Sequence, residues 1–187
     1  MAKNIKREII EWAVFFLIGG GLYFTGYHTV VIGTLQRIVL STGIFQPSEN
    51  EVNVLADYDL VLEDLDGNTL DLADWKDKPI FLNFWATWCP PCIAEMPDIN
   101  KLYQLVNKEV YFAIISVDED RKKAKAFAKR KDFDFPIYFP KSRLPKVYES
   151  TTVPTTYVIN TKGQIVISQR GMAKYSSDAF ISYLRGL

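Results

Sequence analysis

Three regimes of apolar and polar spacing divide this chain. From Trp12 to Gln36, 25 consecutive residues carry no formal charge, more than the ~20 apolar residues a helix needs to cross a hydrocarbon core. From 46 to 56 the pattern turns polar around Pro47, as in a linker. Beyond it, short apolar runs alternate with segments whose apolar positions recur every three or four residues, so strands and helices are predicted in turn. A strand over 59–63, an Asp66-Gly67 turn and a return strand over 69–72 come first. Residues 79–86 contain the run Ile80-Phe81-Leu82-Asn83-Phe84-Trp85-Ala86, whose near-continuous apolarity is what burial on both faces of a sheet requires. A helix follows from Cys92 to about Val106, then a second buried strand over 110–117. The next helix, over 118–131, puts Ala124, Phe127 and Ala128 on one face. The last third reads as a strand over 136–139, a helical turn from Pro145 to Tyr148, a hairpin of strands 155–159 and 164–169, and a helix from Ser177. The order β-α-β followed by β-β-α predicts an α/β architecture with a mixed central sheet flanked by helices.

The N-terminal stretch is predicted as a transmembrane anchor over 12–34, after a cytoplasmic N-terminus at 1–11. Lys3, Lys6 and Arg7 precede it and only Arg37 follows before the acids Glu49, Glu51, Asp57 and Asp59, so the positive-inside rule exports what comes after. Gly19-Gly20-Gly21 weakens a helix where it stands. The span therefore either continues as one tilted helix or ends near 27, leaving Val30 to Leu40 as an amphipathic helix on the outer surface. A cleaved signal peptide is the competing reading, since small residues follow a short apolar run. Against it, apolar residues resume after the glycines, and Glu8 and Glu11 sit poorly beside a positive start. No cysteine follows the run, which argues against a lipid-modified N-terminus. Residues 35–55 are then a linker and 56–187 the catalytic domain, on the exported, periplasmic side of a single-pass membrane protein.

Composition narrows the chemistry. Among 187 residues, 22 Lys and Arg balance 22 Asp and Glu, so no broad positive field is available to grip nucleic acid. There are only two cysteines, Cys89 and Cys92, in Trp88-Cys89-Pro90-Pro91-Cys92 directly after the central strand. Two cysteines are too few to staple a small exported domain, and they close too short a loop to add much stability. Two intervening residues bring the sulfurs within reach if the first sits at the strand-to-helix turn and the second in the first helical turn. Pro90-Pro91 supplies that turn, because proline is favoured at the first helical position. The helix dipole and free amides then favour a Cys89 thiolate, the nucleophile of thiol-disulfide exchange. Cys92, one turn in, is expected to resolve the mixed disulfide by closing the ring. The prolines also withhold two N–H groups from the Cys89 sulfur, so its thiolate is expected to be less stabilised than in a strong oxidant.

A structural disulfide is the bland alternative for this pair. Zinc would require about four ligands, and a second cysteine pair is absent. The one histidine, His28, lies in the membrane segment and reads as an interfacial residue, which also counts against copper delivery. No metal and no cofactor is expected.

The segment Asn83-Phe84-Trp85-Ala86-Thr87-Trp88-Cys89-Pro90-Pro91-Cys92, with Glu95 and Pro97 after it and Thr152-Val153-Pro154-Thr155-Thr156 downstream, resembles the TlpA/ResA-type membrane-anchored thioredoxin family. The resemblance covers about residues 56–187 and implies a thioredoxin fold behind an N-terminal transmembrane helix. It implies that Pro154 is the cis-proline facing the dithiol. Its loop, with Thr152 and Val153, would pair with an extended partner segment, and Trp88 and Pro90 would add substrate contacts. Asn83 occupies the place of the buried aspartate that handles the second thiol's proton in thioredoxin. An amide takes no proton, so that duty must move. Glu95, one helical turn beyond Cys92, matches the family's acidic active-site residue and is the candidate for proton transfer or for tuning the Cys92 thiol. Its plain alternative is a first-turn acid favoured by the dipole. Trp88 reads as surface and Trp85 as core. The basic run Arg121 to Lys131 reads as a solvated helix face, with anionic lipid or an acidic partner as the sharper alternative.

These features predict a thiol-disulfide oxidoreductase that reduces exported protein disulfides and draws electrons from a membrane donor. The resemblance suggests substrates such as apocytochrome c cysteines. The alternatives are a dithiol oxidase that donates disulfides, and a non-catalytic binding module of the same fold. A peroxidase is disfavoured, because the Pro-x-x-x-Thr-x-x-Cys arrangement is missing before Cys89.

Overall fold

In the computed structural model the described residues are 5–24, 32, 35–36, 38–40, 46–47 and 54–187. The elements run α1 (Ile5–Phe24), β1 (Val54–Leu55), β2 (Val61–Asp64), β3 (Thr69–Asp71), β4 (Ile80–Trp85), α2 (Pro90–Val106), β5 (Tyr111–Ser116), α3 (Arg121–Lys131), β6 (Ile137–Pro140), β7 (Thr155–Ile159), β8 (Gln164–Arg170) and α4 (Asp178–Arg185), with 3-10 turns at Leu72–Asp74 and Lys146–Tyr148. Eight strands make one sheet in the order β1-β8-β7-β4-β5-β6-β2-β3. The neighbours β4, β5 and β6 are parallel, which demands crossover connections, and α2 and α3 supply them. Every other pairing is antiparallel. This is the mixed sheet that the order of elements predicts.

β4 is buried at all six positions, and the two-residue period of a strand divides its side chains between two cores. Phe81 and Trp85 point to the face carrying all three helices of the domain, where they meet Met96, Ile99 and Leu102 of α2, Phe127 of α3 and Phe180 of α4. Ile80, Leu82 and Phe84 point the other way, against Leu60, Leu72 and Tyr148. The helical layer is thus one-sided. The second face is closed by the β2–β3 hairpin region and the two 3-10 turns.

Element boundaries shift for local reasons. α2 starts two residues before Cys92, because Cys89 is the residue flanking its first turn and the prolines occupy the first two helical positions. α3 starts at Arg121 rather than 118, since Asp120 caps it by accepting the Lys122 N–H at 3.0 Å. β1, within the stretch expected as linker, is two residues long and exposed, and it exists by pairing with Ile165 and Gln164 of β8. Nothing in two residues of sequence announces such a pairing.

α1 runs through Gly19–Gly21 to Phe24 and carries Lys6, Arg7, Glu8 and Glu11 in its first two turns. Among the described residues, no helix is long and apolar enough to cross a membrane. Much of the expected 12–34 anchor, residues 25–31 and 33–34 with His28, lies outside the described residues. Residues 32, 35–36 and 38–40 are helical, so the expected linker over 35–55 begins as helix.

Candidate active site

β4 delivers the chain into the turn Ala86 to Cys89, closed by the Cys89 N–H donating to the Ala86 carbonyl at 3.2 Å. Asp118, just past the end of β5, holds this turn from the side. Its carboxylate accepts the Thr87 N–H at 3.0 Å, the Thr87 hydroxyl at 2.6 Å and the Ser116 hydroxyl at 2.9 Å. Trp88 is thereby left 61% exposed while Cys89 is only 3% exposed.

Cys89 and Cys92 form a disulfide with their Cα atoms 5.3 Å apart. The Cys89 sulfur accepts the Cys92 backbone N–H at 3.2 Å, which places it at the positive end of α2. The Val153 carbonyl oxygen lies 3.5 Å from the same sulfur, and the Val153–Pro154 peptide is cis. Pro154 is buried, and its carbonyl accepts the Gly171 N–H at 2.9 Å, which ties the loop to the end of β8. Cys92 is fully buried. Pro90 and Val153 are half-buried and Thr152 is exposed.

Behind the sulfurs lies a buried polar network. Glu95, fully buried on α2, accepts the Asn83 amide at 2.8 Å and the Ala173 N–H at 3.3 Å. Asn83 also donates to the Thr156 hydroxyl at 2.9 Å, which accepts the Tyr175 hydroxyl at 2.7 Å. Burial pushes the Glu95 carboxyl up to about 8. The Asn83 and Ala173 bonds oppose that rise and the nearby Asp98 charge adds to it. Burial likewise raises the Tyr175 hydroxyl. The Asn83 carbonyl oxygen is buried without a partner among the described residues. Asp98, one turn beyond Glu95, accepts the Tyr175 N–H, the Ser176 N–H at 2.9 Å and the Ser176 hydroxyl. Two carboxylates of α2 thus hold the backbone of residues 173–176 against the catalytic helix.

Sequence reading singled out Cys89, Cys92, Glu95 and Pro154, and the structure gathers them at one end of the sheet. Asp98, Asp118 and Tyr175 were not singled out. For Asp98 the three-residue spacing from Glu95 was the one available signal. Trp85 is fully buried and Trp88 is exposed. The basic residues of α3 are exposed, with Arg121 donating to Glu63 at 2.7 Å and Lys125 to the Leu65 carbonyl at 2.7 Å. Among the described residues, no group of three His, Cys, Asp or Glu is placed to hold a metal ion.

The Redoxin family matches residues 51–180, the span of the sheet and its dithiol turn. The chain belongs to the redoxin family, among its ResA-type thiol-disulfide oxidoreductases. It is similar to the thiol-disulfide oxidoreductase ResA of Bacillus cereus, 36% identical over 174 residues and 91% of each chain. It is similar too to ResA of Geobacillus thermodenitrificans, 38% identical over 165 residues and 87% of each chain. Among solved structures, a thiol:disulfide interchange protein of the thioredoxin family from Chlorobium tepidum superposes with a TM-score of 0.59 at 25% identity, covering 71% of this chain and 98% of that one. The redoxin domain is a thioredoxin fold, and its enzyme activity is thiol-disulfide oxidoreduction.

Proposed function

We propose that this redoxin is a membrane-anchored reductase of exported protein disulfides, with its catalytic domain outside and its N-terminus in the cytoplasm. The observation that carries the direction of electron flow is the environment of the Cys89 sulfur. One backbone N–H, from Cys92, donates to it, and the residues between the cysteines are prolines, which have none to offer. Stabilising the thiolate stabilises the reduced form and makes a dithiol oxidising. A thinly stabilised thiolate does the reverse, so Cys89 and Cys92 give up electrons readily.

In the cycle, the Cys89 thiolate attacks a partner disulfide; the new S–S bond joins Cys89 to the partner, and the partner's other sulfur leaves as a thiolate. Cys92 then loses its proton and attacks the Cys89 sulfur, which releases the second partner thiol and leaves the Cys89–Cys92 disulfide. Two electrons have passed to the partner, and a membrane electron donor restores the dithiol. Glu95, one turn beyond Cys92 and pushed up to about 8 by burial, takes the Cys92 proton from its ionised form in this reading, which Asn83 cannot do. The Val153 carbonyl, Thr152, Trp88 and Pro90 receive the partner segment, and Pro154 shapes the loop that offers them. The family resemblance extends the reading to apocytochrome c cysteines as substrates. The uncharged stretch from Trp12 and the preceding Lys3, Lys6 and Arg7 support the anchor and its orientation.

Replacing Cys92 by Ala in the full chain should trap mixed disulfides between Cys89 and exported proteins. If Cys92→Ala captures nothing while Cys89→Ala does, the roles assigned to the two cysteines are wrong.

A further inference from the structure

The helical residues between the N-terminal stretch and the catalytic domain have two unlike sides. Leu40 is 5% exposed, and it shares the walls of a cleft of about 290 Å3 with Ala94, Pro97, Lys101 and Lys174. Three of these wall residues belong to α2, the helix that carries Cys92 and Glu95. Gln36, one turn earlier, is half-buried with its Oε1 shielded from solvent. Residues four apart share a helix face, so Gln36 and Leu40 turn toward the catalytic domain together. Leu35 and Ile38 are 59% and 62% exposed, while Ile32 and Val39 on their flanks are 43% exposed. At 100° per residue, Leu35 and Ile38 lie on the side away from Leu40.

We infer that this segment is a strap held between the bilayer surface and the catalytic helix, with Leu40 seated on α2 and the Leu35–Ile38 side lying among lipid headgroups and upper acyl chains. The inference rests on the membrane-anchor reading. The occupant of the exposed side is lipid because the segment begins inside the uncharged run Trp12–Gln36, which that reading places at the bilayer, and carries a single charge, Arg37, before Leu40. An apolar ridge at the point where a chain leaves a membrane lies within reach of the interface before it can reach any other partner. Lys101 and Lys174 share the cleft wall with the single carboxylate of Asp98, which leaves a positive excess there for anionic headgroups to attract. The seat spans positions two to nine residues beyond Cys92, which at ~1.5 Å per residue keeps the strap within about 15 Å of the sulfurs along the helix axis. The strap therefore fixes which way the exposed Trp88 faces relative to the membrane. A domain on a free tether would sample every orientation.

Position-specific photo-crosslinking in the full chain tests this. The chain is reconstituted into vesicles containing one-third anionic lipid, with p-benzoylphenylalanine placed singly at positions 35, 36, 38 and 40. Positions 35 and 38 should yield lipid adducts at least fivefold above position 36, and positions 36 and 40 should yield adducts within the chain to α2. Leu40→Ala should abolish the position-36 adduct to α2 and raise hydrogen exchange of residues 94–101 at least threefold, which reports the seat without relying on the probe's own packing. Equal lipid yields at all four positions would mean an undocked tether and overturn the inference. A chain-to-chain product at 35 or 38 would assign the exposed side to a second copy and overturn it too. Release of the chain by alkaline carbonate would overturn the anchor reading and this inference together. A chain that resists the wash but lacks the periodic adducts sinks the strap alone.

Discussion

Raising the pH should destabilise the wild-type chain relative to Glu95→Gln by an amount set by one buried carboxyl. Glu95 moves from an ordinary value of 4.5 to about 8 on folding, because burial penalises its charged form more than Asn83 and Ala173 favour it. The folded state therefore holds a proton that the unfolded state has released between those values. Stability due to this group is full below about pH 4.5, falls through the interval and is lost above about 8. At about 1.4 kcal/mol per pH unit, the shift corresponds to roughly 5 kcal/mol, a large part of the 5–15 kcal/mol that holds an ordinary domain together. Glutamine has no proton to release, so its profile lacks this slope. Replacing the carboxyl also sacrifices the bond from the Ala173 N–H, a constant offset of about 1 kcal/mol that leaves the slope alone. Chemical denaturation of the oxidised chain at pH 5, 6, 7, 8 and 9 gives both curves. The disulfide keeps the cysteines silent, and other ionisable groups cancel in the difference. Parallel curves, differing by the same amount at every pH, would refute the placement of Glu95 as a neutral buried acid.

Asp118→Ala strands the Thr87 and Ser116 donors and should cost about 2–4 kcal/mol in urea unfolding, with slower exchange because the turn before Cys89 loosens. A loss under 1 kcal/mol would show that the turn holds itself. Tyr175→Phe removes the hydroxyl that donates to Thr156 and should cost about 1 kcal/mol, leaving folding cooperative; thermal unfolding measures it, and no change would mean that the network is satisfied without it. Trp88→Ala touches an exposed side chain, so stability should stay within about 0.5 kcal/mol. Reduction of a protein disulfide should nonetheless slow by tenfold or more, and unchanged turnover would remove Trp88 from the partner surface.

How far these features could be read in advance depends on the distance over which they are built. β4, the dithiol turn and the β7–β8 hairpin announce themselves within about ten residues, through continuous apolarity, paired prolines and the turn between Asn160 and Gly163, where Gly163 has φ 77°. The Glu95 network joins residues 12 to 78 positions apart. Asn83 and Glu95 stood out only through the family motif, while Tyr175 looked like an ordinary core tyrosine until the fold closed on it. Asp98 and Asp118 were illegible for a related reason: Asp98 spends its carboxylate largely on backbone N–H groups, which every residue but proline has, and Asp118 on one backbone N–H and two common hydroxyls. The one-sided helical layer also escaped notice, because apolar periodicity tells which side of a helix is buried but not which face of the sheet receives it.

The balance of the Cys89–Cys92 disulfide against a graded glutathione buffer tests the central claim most directly, because reductase and oxidase differ there by several orders of magnitude. A thiolate with one N–H donor predicts a potential near the −270 mV typical of thioredoxin, at which the dithiol reduces the strained or exposed disulfides of higher potential. A value near the −120 mV of a strong oxidant would contradict it, and would make this redoxin a donor of disulfides rather than of electrons.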